Sequence, residues 1–212
     1  MPEIAGAPPP RQVGLLGGSF DPVHRAHLAL AQQARQALGL DQVWWIPAGE
    51  PWQKAALGAS AAHRLAMLQL ALQHQPDMHI LTLEVDRHGP TYTADTVRQL
   101  RNQHGSAVAF TWLLGSDQLR NFVTWVRWQD IVAEVDLAVA MRPGHPAQVP
   151  AAVQASLAQH RRALRSIPFD PQDISATEIR RRIRAGQPFA HLVPAGVADY
   201  ISHHQLYYTG PA

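Results

Sequence analysis

The chain of 212 residues contains no cysteine. That excludes disulfide bridges and thiolate metal centres, and it fits a reducing compartment. Charge is also sparse: 18 Lys and Arg against 16 Asp and Glu leave a formal net charge of +2. Such a balance lacks the concentrated basic stripe of a nucleic-acid surface, so no nucleic-acid partner is expected. The basic residues that do cluster come late, at Arg161, Arg162 and Arg165 and again at Arg180, Arg181, Arg182 and Arg184. No uninterrupted apolar run approaches the roughly 18 residues of a membrane helix, so no membrane partner is expected either. The start, MPEIAGAPPPRQ, has no cationic segment leading into a long apolar core. It reads as a flexible Pro-rich tail rather than a signal peptide, and the expected location is the cytoplasm.

What is present is 46% hydrophobic and 16% charged residues, a composition able to bury a substantial core. Short β-rich runs alternate with longer helical ones. Val13 to Leu16, QVWWIP, MHILTLEV, AVAFTWLL, DLAVAM and RSIPF read as strands. His24 to Leu38 reads as a helix, with Leu28, Ala31, Ala34 and Leu38 at helical spacing and Gly39 as its stop. A second helix, from about Ser60 to His74, is expected to bury Leu65, Leu68 and Leu72. Further helices are expected at Thr93 to Gln103, Leu119 to Phe122, Trp128 to Glu134 and Val149 to Arg162. Ala176 to Arg184 and Pro194 to Gln205 close the chain. The pattern predicts an α/β fold: one Rossmann-like, doubly wound domain with a mainly parallel sheet and a small C-terminal helical part. The domain is expected over residues 12–207, between tails at 1–11 and 208–212.

In such a sheet, ligands bind beyond the carboxyl ends of the strands, near the point where the strand order reverses. The first strand ends in GGSFDPVHRAH, residues 17–27. Glycines let backbone approach a phosphate closely, and the helix start that follows offers unpaired amides. Gly17, Gly18, Ser19 and Phe20 are therefore candidate nucleotide contacts, with Asp21 and Pro22 shaping the turn. The spacing matches neither the G-x-G-x-x-G of hydride-transfer enzymes nor a P-loop. His24 and His27 share a helix face, and three readings compete for them. They cap the first turn, they form a zinc pair that lacks an evident third ligand, or they donate hydrogen bonds to phosphate oxygens.

Two more segments carry chemistry. In ISATEIRRRI, residues 174–183, Ser175 and Glu178 have the spacing of a capping box. Arg180 gains nothing from the helix dipole one turn in, so it is either solvated or paired with an anion at the helix start. In LLGSDQLRNFVTWVRW, residues 113–128, a strand runs into Gly115, Ser116 and Asp117. That carboxylate serves ribose, a metal ion or a helix cap. Trp125 and Trp128, a turn apart, are core residues or a stacking platform for a flat heterocycle.

Together these stretches resemble the HxGH nucleotidyltransferases, and more closely the bacterial-type nicotinate mononucleotide adenylyltransferases. GGSFDPVHRAH is similar to that family's opening motif and ISATEIRRRI to its closing ISSTxIR motif. EVDRHGPTYTADTVRQL, LLGSDQLRNFVTWVRWQDI and VADYISHHQLY resemble further family segments. The chain departs from the pattern in three places. Ala26 stands where the family has glycine, Trp52-Gln53-Lys54 follows Pro51 where Pro-His-Lys is common, and Ala176 replaces the second serine of the closing motif.

The resemblance implies adenylyl transfer from ATP to nicotinate mononucleotide, giving deamido-NAD and pyrophosphate without a covalent intermediate. It makes His24, His27 and Arg180 the catalytic candidates. Gly17, Gly18, Ser19, Phe20, Lys54, Gly115, Asp117, Ser175 and Thr177 become candidates for ATP and phosphate contacts. Thr91 and Tyr92 would meet the pyridine carboxylate, and Trp125 would stack on the ring. Mg2+ would arrive with ATP, with no metal site built from protein alone. The alternatives are a relative acting on nicotinamide mononucleotide or phosphopantetheine, and a nucleotide sensor without turnover.

Overall fold

The structure, a computed structural model, describes residues 11–51, 57–141, 148–170 and 172–208. Lys54 and most of both expected tails lie outside the described residues. The strands are β1 (Gln12–Gly18), β2 (Gln42–Pro47), β3 (Glu50–Pro51), β4 (Met78–Ile80), β5 (Pro90–Thr91), β6 (Ala109–Gly115), β7 (Asp136–Met141) and β8 (Leu164–Pro168). The helices are α1 (Arg25–Leu38), α2 (Ala61–Leu72), α3 (Thr93–His104), α4 (Ser116–Arg120), α5 (Trp128–Glu134), α6 (Ala151–Gln159), α7 (Ala176–Arg184) and α8 (Ala195–His203).

Six strands form one parallel sheet in the order β4-β2-β1-β6-β7-β8. Chain direction across the sheet reverses between β1 and β6, so their carboxyl ends flank the crevice of a doubly wound fold. This is the architecture expected from the alternation of strand and helix. No helix among the described residues is long and apolar enough to cross a membrane.

Strand period explains both cores. Leu16 of β1, Val43 and Trp45 of β2, Leu113 of β6 and Ala138 of β7 point to one face. There they meet Ala31 and Ala34 of α1, Met67 and Leu68 of α2, Ile179 and Ile183 of α7, and Val197 and Ile201 of α8. Their chain neighbours Leu15, Trp44, Ile46, Trp112, Leu114 and Val139 point to the other face, against α3, α4, α5 and α6. Covering both faces is why these strands read as nearly unbroken apolar runs. Each such side chain taken out of water contributes about 1.5–3 kcal/mol.

Several expectations need correction. MHILTLEV was expected to be one strand, but only Met78–Ile80 pairs with β2. Beyond it the chain turns, with the Asp86 N–H donating to the Thr82 carbonyl at 2.8 Å and the Thr82 hydroxyl to the Asp86 carboxylate at 2.6 Å. The short helix expected at Leu119 begins earlier, at Ser116, because the Gln118 side chain accepts from the Gly115 N–H at 2.9 Å. In α2 the buried positions are Arg64, Met67, Leu68 and Leu72, with Leu65 only half-buried. The two-residue strands β3 and β5, which pair with each other, carry no periodicity to detect.

Candidate active site

The β1–α1 turn is held from four directions. Phe20 adopts a left-handed backbone with φ of 48°, unusual for a residue with a side chain. Its buried ring compensates, meeting His27 edge-on at 5.1 Å and Trp45 at 5.2 Å. Arg64, 1% exposed, reaches from α2 and donates to the Ser19 carbonyl at 2.8 Å and the Gly49 carbonyl at 3.3 Å. One buried cation thus joins the ends of β1 and β2. Asp21 is buried next to it, and its carboxylate accepts from the Gly58 and Ala59 N–H groups at 2.7 and 3.0 Å.

Gly17 has a packing reason of its own. A Cβ there would stand 2.6 Å from Cζ2 of Trp112. The same indole meets Trp125 edge-on at 6.3 Å, and Trp125 also leans on Phe122 at 5.1 Å. One aromatic side chain therefore joins the glycine turn to the half-exposed Trp125. Trp128 also packs on Phe122, at 6.3 Å between ring centroids.

His24 is the N-cap residue of α1, and His27 sits one turn in. Their rings stack at 3.6 Å. The backbone N–H of His24 donates to Nδ1 of His27 at 3.2 Å. An Nδ1 that accepts a hydrogen bond leaves the ring proton of a neutral imidazole on Nε2. The capping and phosphate-donor readings are thus compatible. Among the described residues, no group of three or more His, Asp or Glu could hold a metal ion.

His24 is buried, and its Nδ1 has no partner among the described residues. A buried polar atom without a hydrogen-bond partner is uncommon in a folded protein. Burial lowers the ring from its usual value of 6.5 to about 4. The imidazole is therefore neutral at neutral pH. The unfolded chain takes up this proton near pH 6.5 and the fold only near pH 4, so the contribution is full above the first value and declines between the two. While only the unfolded state is protonated, the loss is about 1.4 kcal/mol per pH unit. Denaturant unfolding from pH 7.5 to 4.5 should therefore show wild type losing more stability than His24→Gln. Parallel pH profiles would contradict a buried neutral imidazole.

The closing motif comes to the same turn. Ser175 caps α7, accepting from the Glu178 N–H at 3.2 Å. The expected capping box is only half formed, because the Glu178 carboxylate turns to Arg181 and Arg182 at 2.7 and 2.8 Å. Hydrogen bonds from these two guanidiniums lower the Glu178 carboxyl to about 2. Part of the late arginine cluster is thus used internally, as is Arg162, which donates to the Ala133 carbonyl. Arg180 turns inward. It donates to the Asp21 main-chain oxygen at 2.6 Å and approaches Thr177 Oγ1 at 3.4 Å.

Gly115 ends β6 beside β1, and Asp117 follows in the first turn of α4. The Asp117 side chain is 81% exposed and pairs with Arg120. Thr91 and Tyr92 stand where β5 meets α3, with Thr91 buried. Glu84, which sequence reasoning missed, lies beneath them. Its buried carboxylate accepts from Thr96 at 2.8 Å and is also bonded by Thr91, and burial pushes its carboxyl up. Gly49 is pressed on this segment, since a Cβ there would fall 2.1 Å from the Glu84 carbonyl oxygen.

Residues 15–182 match the model of the cytidylyltransferase-like family, the class that this sheet and this turn define. A Bordetella pertussis protein named as a probable nicotinate-nucleotide adenylyltransferase is 55% identical, covering 92% of this chain and 98% of that one. A Neisseria meningitidis serogroup B protein of the same name is 40% identical, covering 93% and 98%. The chain belongs to the cytidylyltransferase-like family, among the nicotinate-nucleotide adenylyltransferases. The fold is shared with the Plasmodium falciparum nicotinic acid mononucleotide adenylyltransferase complexed with NaAD. That structure has a TM-score of 0.74 at 19% identity, covering 93% of this chain and 97% of its own.

Proposed function

We propose that this enzyme transfers the adenylyl group of ATP to nicotinate mononucleotide, releasing pyrophosphate. The observation that carries the reading is the stacked His24–His27 pair at the carboxyl end of β1, with one orphaned ring nitrogen and one nitrogen already serving as a cap. Relatives at 40–55% identity bearing the nicotinate-nucleotide adenylyltransferase name support the acceptor.

The chemistry suits these side chains. The attacking group is a phosphate monoester, whose second pKa near 6 leaves it largely ionised at neutral pH. It needs no general base. The site has to align attack on the α-phosphorus and stabilise charge on the α-phosphate and the departing pyrophosphate. His24 and His27 would donate to those oxygens, His27 through Nε2. Arg180, Ser175, Thr177 and Lys54 would hold the polyphosphate, while Gly17, Gly18, Ser19 and Phe20 line the nucleotide. Gly115 and Asp117 would lie along the ribose.

Mg2+ would arrive with ATP as part of the substrate and would supply charge neutralisation for its phosphates. Trp125, already edge-on to Trp112, would stack on the pyridine ring. The main chain at Thr91 and Tyr92 would donate to the ring carboxylate. An amide NH2 in its place cannot accept those hydrogen bonds, so nicotinate should be favoured over nicotinamide. The expected working location is the cytoplasm, which the absence of cysteine from the chain fits.

The test is pyrophosphate release with magnesium-ATP, comparing the two mononucleotides side by side. The expected result is a strong kcat/KM preference for nicotinate mononucleotide. Equal use of both would overturn the carboxylate contact at Tyr92. Release with neither, despite ATP binding, would point to another acceptor such as phosphopantetheine or to a sensor.

A further inference from the structure

The far end of the chain returns to the opening turn. The Tyr207 hydroxyl donates to Asp21 Oδ1 at 2.8 Å across 186 residues of sequence. With the Gly58 and Ala59 N–H groups, it gives the Asp21 carboxylate three neutral donors. Arg180 Nη1 bonds the Asp21 main-chain oxygen at 2.6 Å but stands 3.7 Å from Oδ2. The guanidinium is thus tethered beside the carboxylate without closing the bidentate pair that arginine and carboxylate readily form. Tyr207 is buried, and its ring and the Arg180 stem share one tight space. A Cβ on Gly58 would fall 2.9 Å from Tyr207 Cε1 and 3.1 Å from Arg180 Cδ.

We propose that Tyr207 is a positioning residue for Arg180. Its hydroxyl occupies Asp21 and its ring walls the Arg180 side chain, so the guanidinium stays available to an incoming phosphate. The proposal rests on the adenylyl-transfer reading, in which Arg180 meets the polyphosphate of ATP. Without the hydroxyl, the Asp21 carboxylate loses one of its three neutral donors and becomes a stronger acceptor for Arg180, which already stands 3.7 Å from Oδ2. The cation is then drawn into an internal ion pair and away from the anion. The C-terminal segment after α8 thereby supports the phosphate end of the site rather than only closing the core.

The experiment compares full-length wild type, Tyr207→Phe, Arg180→Lys and the double variant. Calorimetric binding of magnesium-ATP is measured beside steady-state kinetics with nicotinate mononucleotide. The expected result for Tyr207→Phe is about tenfold weaker ATP binding and a raised KM for ATP, with KM for the mononucleotide unchanged. In the Arg180→Lys background the same change should add little, since coupled residues are not additive. Gly58→Ala, which crowds both side chains, should reproduce the loss and serves if Tyr207→Phe does not fold. ATP affinity and KM equal to wild type in the folded variants would overturn the proposal, whatever their melting temperatures. Weakened ATP binding without turnover of nicotinate mononucleotide by wild type would support the positioning role and overturn the acceptor assignment instead.

Discussion

His27→Ala is expected to lower kcat by about 10²–10³-fold, the usual loss when one oxyanion donor is removed. The variant should fold, because His27 is half-buried on α1 and its deletion leaves the apolar contacts of Ala31 and Ala34 in place. The loss should fall mainly on kcat, since the charge that Nε2–H meets develops as the α-phosphate is attacked. His24→Ala should cost a similar factor while also relieving a buried polar ring whose Nδ1 is unpaired among the described residues. Turnover and the pH dependence of stability are therefore two separate readouts. His24→Ala should flatten the pH dependence of stability between pH 6.5 and 4, the window set by its lowered titration. Single-turnover kinetics with saturating ATP and nicotinate mononucleotide measure the first effect. Near wild-type kcat in both variants would remove the histidines from the chemistry and leave them as caps.

The second large effect is on stability. Asp21→Ala is expected to destabilise the fold by about 3–5 kcal/mol, the range for removing one partner from a buried charged group. At this chain length that corresponds to a melting temperature lower by roughly 6–20 °C. The substitution strips three donors of their acceptor at once: the N–H groups of Gly58 and Ala59 and the Tyr207 hydroxyl. It also leaves Arg64, 1% exposed, without the carboxylate that offsets its burial. Asp21→Asn keeps one acceptor oxygen and nearly the same volume, so it should cost distinctly less. Thermal unfolding of the three proteins orders them wild type, Asn, Ala. An alanine variant that melts with wild type would mean that water replaces the carboxylate at no cost, and the network would have no structural weight.

Much of the architecture was legible from local pattern. Helical spacing in α1 and α3 and unbroken apolar runs in β2, β6 and β7 follow from side-chain period, which is a property of neighbouring residues. The glycine turn, the histidine pair and the Ser175 cap are likewise local, and each was readable as a spacing. MHILTLEV misled because three strand residues and a half-buried turn share the same mixed apolar character, and only the hydrogen bonds of Thr82 and Asp86 distinguish them.

The sequence by itself determined an α/β chain with a phosphate-type turn after its first strand, since short-range sterics and periodicity suffice for both. It could not show that Arg64 would sit among core residues, because a lone arginine on a helix is usually solvated. Nor could it pair Tyr207 with Asp21 or place Glu84 beneath Thr91 and Thr96. Those contacts join segments far apart in the chain, and they form only when the sheet brings the ends of β1 and β2 together with α7 and the chain's last turn. Tertiary structure alone decided them, because a buried charge is tolerable only where the whole fold supplies its partners.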